Sequence, residues 1–117
     1  MQIKELLKLV ENVLDERKGL SISVLDVIGK TSITDYMVVV TATSERHAKS
    51  LADYVLIAVK ENGLIPLGVE GQQGSDWVLV DLGDVILHVM TAQAREFYQL
   101  EKLWSVDRVD ESEVLGE

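Results

Sequence analysis

Cysteine is absent from this 117-residue chain, so no disulfide framework and no thiolate metal or redox site can be built from it. There is one proline, Pro66, and no Pro-, Gly- or Ser-rich stretch that would serve as an interdomain linker. Apolar runs are short. Met37-Val-Val-Val40 is typical, whereas a helix across a bilayer needs about 20 apolar residues. Lys and Arg are scarce, 11 against 20 Asp and Glu, and no cluster of them is visible along the chain. Sequence-specific nucleic-acid binding, which relies on clustered cations to neutralise phosphates, is therefore not expected. The start, Met1-Gln-Ile-Lys-Glu5, opens an amphipathic segment with charges inside it, which is unlike a secretory signal and points to a cytosolic chain with no membrane attachment.

What is present is enough for one domain that buries roughly two-thirds of its unfolded surface without a staple. Ile3, Leu6, Leu7, Val10, Val13 and Leu14 have helical spacing, with Gly19 just beyond, where a left-handed cap is cheapest. Residues 22–28 read as a strand, Gly29 to Ser32 as a turn, and Tyr36 to Ala42 as a strand covered on both faces and hence central. Thr43 or Ser44 can cap a helix whose apolar face is Ala48, Leu51, Ala52, Val55, Ala58 and Val59, and Asn62-Gly63 ends it. A strand around Pro66 to Glu70 should lie parallel to the Tyr36 strand through a right-handed crossover. Thr91 to Trp104 reads as helix, at least to Phe97. The expected fold is α/β, a mixed five-stranded sheet flanked by helices and carrying a C-terminal antiparallel hairpin. The domain spans 1–104, and 105–117 is an acidic tail of disordered composition.

The hairpin is the most informative part. Gly83-Asp84 is a favoured two-residue connection, so Leu82 pairs with Val85, Asp81 with Ile86, Val80 with Leu87, Leu79 with His88, Val78 with Val89 and Trp77 with Met90. Alternation then puts Val78, Val80, Leu82, Val85, Leu87 and Val89 on an all-aliphatic core face. The opposite face carries Trp77, Leu79, Ile86, His88 and Met90, more apolar surface than a solvated sheet face needs. Either a helix covers it or it is a binding surface; periodicity does not decide.

Charge is uneven. Residues 1–69 hold 8 Lys/Arg against 9 Asp/Glu, and residues 70–117 hold 3 against 11. The acidic half also holds Trp77, Phe97, Tyr98 and Trp104, so a negative field overlaps the residue types that anchor interfaces, which fits a basic protein partner and fits equally an acidic surface that only aids solubility. Arg95, Tyr98 and Glu101 would share one face of a continuing helix near Trp104. That face can be an ordinary salt-bridged surface or the centre of an interface.

Other constellations are weaker. Thr41 to Glu45 enters a helix N-terminus, a common anion site, but Glu45 already occupies the positive end of the dipole, which favours plain capping. Gly71, Gly74 and Ser75 match neither a Walker nor a dinucleotide fingerprint. Asp81 and Asp84 are not forced together as metal ligands, and Asp84 suits the turn. With His47 and His88 the only histidines, a zinc site would need several carboxylates to complete it. Ser44, three residues before His47, suits capping better than nucleophilic attack. No cofactor or metal is expected.

Five blocks carry a resemblance: Lys30-Thr-Ser-Ile-Thr-Asp35-Tyr36, Thr43-Ser44-Glu45-Arg46-His47, Gly68-Val-Glu70-Gly71, Trp77 to Val89, and Arg95-Glu-Phe-Tyr98-Gln-Leu-Glu101-Lys-Leu-Trp104. Together they resemble the bacterial ribosomal silencing factors, the RsfS or Iojap family, over residues 1–104. The resemblance implies a nucleotidyltransferase-like fold without catalysis. It implies a translational repressor that binds the fourteenth protein of the large ribosomal subunit and blocks small-subunit joining under nutrient limitation. Working nucleotidyltransferases follow a Gly-Ser loop with paired acids one residue apart, and here Gly74-Ser75 is followed only by Asp81-Leu-Gly-Asp84. Carried over, the family's contact surface falls on Trp77, Leu79, His88, Tyr98, Leu100, Glu101 and Trp104. An apolar face of this kind could also pair with a second copy as a homodimer.

Overall fold

The computed structural model describes residues 1–71 and 75–103. Trp104, the acidic tail and Gly74 therefore lie outside the described residues. The elements run α1 (Ile3–Glu16), β1 (Leu20–Asp26), β2 (Tyr36–Ala42), α2 (Glu45–Glu61), β3 (Gly68–Glu70), β4 (Trp77–Asp81), β5 (Val85–Thr91), α3 (Ala92–Tyr98) and α4 (Leu100–Leu103). The five strands form one mixed sheet in the order β1-β2-β5-β4-β3.

The hairpin register is as expected at every pair from Trp77↔Met90 to Asp81↔Ile86. Leu82 N–H donates to the Val85 carbonyl at 2.9 Å, and Gly83 has the positive φ of 89° that the turn demands. The aliphatic face is core. Val78, Val80, Leu82, Val85, Leu87 and Val89 pack with Leu6, Val10 and Leu14 of α1 and with Ala48, Leu51, Ala52, Val55 and Val59 of α2.

Two expectations about the sheet hold, an interior β2 and a β3 parallel to it, and the strand order adds what they left open. The middle strand is β5, buried along Val85 to Met90, and β2 sits one place out, parallel to β5 and antiparallel to β1. The crossover through α2 does leave β3 pointing the same way as β2, but at the far edge of the sheet, with β5 and β4 between them. Which edges pair is decided by long-range packing, to which local pattern is blind.

Both long helices end as their backbone hydrogen bonds require. At α1, Lys18 N–H bonds the Asp15 carbonyl and Gly19 N–H the Leu14 carbonyl, a Schellman closure. The left-handed residue is Lys18, with φ 67°, and not Gly19. Gly19 is needed for room: a Cβ there would lie 2.8 Å from Val40 Cγ2 and 2.9 Å from the Leu14 carbonyl oxygen. At α2, Ser44 Oγ accepts from His47 N–H at 3.0 Å, which settles the capping residue.

The chain after β5 does not continue as one helix. Gln99 takes a left-handed conformation, φ 49° and ψ 51°, and separates α3 from α4. The kink turns α4 back over the second sheet face, where Leu25, Val27, Val39, Met90 and Ala94 form a smaller core with Met37, Trp77 and Leu100 against it.

Candidate docking surface

Cover on the second face is uneven. Met90, Ile86 and His88 are 0%, 7% and 6% exposed, so of the two alternatives left open for this face, cover is the outcome at these three positions. Trp77 and Leu79, on the neighbouring strand β4, are half-buried. The returning helices account for the difference: Ala94 of α3 packs in the same cluster as Met90, while Trp77 and Leu100 sit at its margin.

From this margin a row of rings leads outward. Trp77 lies 5.8 Å from the His88 ring on its inner side and 4.6 Å from the Tyr98 ring on its outer side. Tyr98 meets Phe97 edge to face at 4.9 Å. Exposure climbs along the row, from the buried imidazole to Tyr98 at 50% and Phe97 at 78%. Leu103, on α4, is 71% exposed.

The start of β4 is held in place by its own loop. Ser75 Oγ accepts from Trp77 N–H at 3.1 Å and donates to the Trp77 carbonyl at 2.8 Å. Gly71, with φ 81°, passes so near that a Cβ would fall 2.3 Å from the Trp77 carbonyl oxygen. Ser75 is thus engaged with the hairpin's backbone. At the other end Asp81 Oδ1 accepts from Gly83 N–H at 2.9 Å and fastens the turn.

Arg95 and Glu101 meet despite the kink. Arg95 Nε donates to Glu101 Oε1 at 2.6 Å, with only 14% and 22% of the two side chains exposed. The same guanidinium reaches the Ser21 carbonyl at 2.6 Å and Thr41 Oγ1 at 2.8 Å, and Ser23 Oγ donates to Glu101 Oε2 at 2.6 Å. Helical spacing puts Arg95 and Glu101 on one face, with Tyr98, only if the helix continues. It could not show that β1 and β2 supply the other partners.

The remaining candidates have structural partners. His47 Nδ1 accepts from Thr43 N–H at 2.9 Å, which leaves its Nε2–H to donate to the Arg17 carbonyl at 2.9 Å and join the end of α1 to the start of α2. Sequence reading missed this tie because it spans 30 residues. Among the described residues no group of three His, Asp or Glu is placed to hold a metal ion. No helix among them is long and apolar enough to cross a membrane.

A family model described as "Ribosomal silencing factor during starvation" matches residues 1–116. The chain belongs to the ribosomal silencing factor (RsfS) family. Its match runs past Trp104, the limit set by the motif blocks. The chain is 45% identical over 100 residues to the ribosomal silencing factor RsfS of Haemophilus influenzae, covering 86% of this chain and 98% of that one. It is 31% identical over 103 residues to a mouse protein named "Mitochondrial assembly of ribosomal large subunit protein 1", covering 86% of this chain and 45% of that one. In three dimensions it is similar to a crystal structure of a Chromobacterium violaceum protein, with a TM-score of 0.87 and 42% identity over 90% of this chain and 88% of that one.

Proposed function

We propose that this chain is a non-catalytic translational repressor. It docks on the large ribosomal subunit through that subunit's fourteenth protein, and by its bulk keeps the small subunit from joining when nutrients are limited. The docking surface is the margin of the second sheet face, Trp77 and Leu79 with Tyr98, Leu100 and Glu101, continued by Trp104 outside the described residues. His88 belongs to it from beneath. The observation that carries this reading is the row of rings that steps from the buried imidazole to the open Tyr98 and Phe97 in the acidic half of the chain. Ribosomal proteins are generally basic, so negative charge speeds and orients encounter while the aromatic groups supply most of the affinity. On this reading the protein works in the cytoplasm and needs no cofactor. A second copy on the same patch would form a homodimer that competes with docking.

A subunit-joining assay tests the surface. Trp77→Ala and Tyr98→Ala, each checked for folding, should need about 30-fold more protein to block joining, as expected when an anchor is truncated. Full blocking by both folded variants would remove the proposed surface. Catalysis is tested by titrating a nucleoside triphosphate with magnesium: saturable binding abolished by Asp81→Asn would favour an enzyme over a steric factor.

A further inference from the structure

His88 is a polar ring in an apolar place. It sits on the middle strand between Leu79 of β4 and Val39 of β2, and it is 6% exposed. Its Nδ1 accepts the Trp77 Nε1–H at 3.1 Å. An indole nitrogen only donates, so Nδ1 carries no proton and the proton of the neutral ring is on Nε2. That Nε2 is buried and has no hydrogen-bond partner among the described residues. Leaving a buried donor unmatched is unfavourable, and an aliphatic side chain would fill the same space without it. What the imidazole adds is an acceptor for Trp77.

We propose that His88 is the positioning residue of the docking surface: by accepting the indole N–H it holds Trp77 in one orientation and leaves it an apolar body to present. This rests on the reading of Trp77 as an anchor. Without the acceptor, the indole N–H would bond water in the free protein, and docking would have to strip that water away. A ring already held in one rotamer also loses less conformational freedom on docking. The effect passes along the row, because Tyr98 leans on Trp77 at 4.6 Å and Phe97 on Tyr98 at 4.9 Å. His88 thus acts through Trp77, with no need to touch the partner.

The tautomer can be read on the unaltered protein from the nitrogen chemical shifts of His88 in ¹⁵N-labelled material. Bare Nδ1 and protonated Nε2 are expected; the opposite tautomer overturns the proposal. The bond itself is read from the Trp77 indole proton, identified in Trp104→Phe, where it is the only indole left. Adding His88→Asn, whose amide oxygen falls near the place of Nδ1, should keep that proton slow to exchange with water. His88→Leu, or His88→Met should the leucine variant not fold, should make it exchange quickly. Affinity for purified large subunits should fall about 3–30-fold in the apolar variant and stay within about threefold of wild type in His88→Asn. An apolar variant with unchanged affinity, or an asparagine variant as weak as the apolar one, overturns the proposal. Undiminished affinity in Trp77→Ala would instead overturn the docking reading, and the indole proton would still report whether His88 holds the ring.

Discussion

Burial lowers the pKa of His88 from 6.5 to about 4, because desolvation disfavours the charged ring. Among the described residues, the charged or titratable groups on its side of the sheet include Asp81 on β4, Glu70 on β3, and Arg95, Glu96, Tyr98, Glu101 and Lys102 from the returning helices. Of these, Arg95 and Glu101 are paired with one another. An unfolded chain binds a proton at this histidine as pH falls through 6.5, while the folded one resists until about 4. Stability at this site is therefore highest above 6.5 and declines as pH falls through that window, by at most about 1.4 kcal/mol per pH unit. Urea unfolding at pH 7, 6 and 5 should show wild type losing ground to His88→Asn, which cannot titrate. A constant difference between the two would contradict the burial. Alternation along the strand was enough to assign His88 to the second face. What lies over that face depends on the chain reversal at Gln99, eleven residues away, so its burial was not legible.

At the scale of elements, the end of α1 divides two tasks between adjacent residues. Lys18 bears the left-handed conformation and Gly19 the close approach to Val40. Lys18→Gly should raise stability by about 0.5–1 kcal/mol, since glycine adopts a positive φ without a Cβ penalty. Gly19→Ala should lower it by about 1–3 kcal/mol through overpacking. Denaturant midpoints for the pair check this; a reversed order would mean that the glycine, and not the lysine, is the cap. Sequence placed the stop correctly and chose the wrong residue for it, because glycine is the usual occupant and lysine carries no such signal. The kink at Gln99 was hidden for the same reason. By contrast, the hairpin register was readable pair by pair, since a period of two and a Gly-Asp turn leave one alignment that keeps the aliphatic face together.

Across the whole molecule, the two halves differ in field. Residues 70–117 carry a formal 3 − 11 = −8, against 8 − 9 = −1 for residues 1–69. If the acidic half steers the chain to a basic protein, raising ionic strength should slow association with large subunits and leave dissociation nearly unchanged. Stopped-flow measurements over a salt series would show it. A dissociation rate that carries the whole salt dependence would mean that the charges bind and do not steer. Family membership was legible from motif blocks spread along the chain, whereas strand order was not. Lys, Asp and Gly at a turn mark where a chain bends but not which edge it will meet.

The sheet order has a temporal side as well. Its middle strand is the last of the five in chain order, so β1 with β2 and β3 with β4 remain two separate ribbons until β5 enters between them. During synthesis nothing in the ladder can join these ribbons before residues 85–91 have emerged, and both inner edges stay open until then. A nascent copy therefore closes its sheet in a single insertion, and only then gains the face over which α3 and α4 fold back.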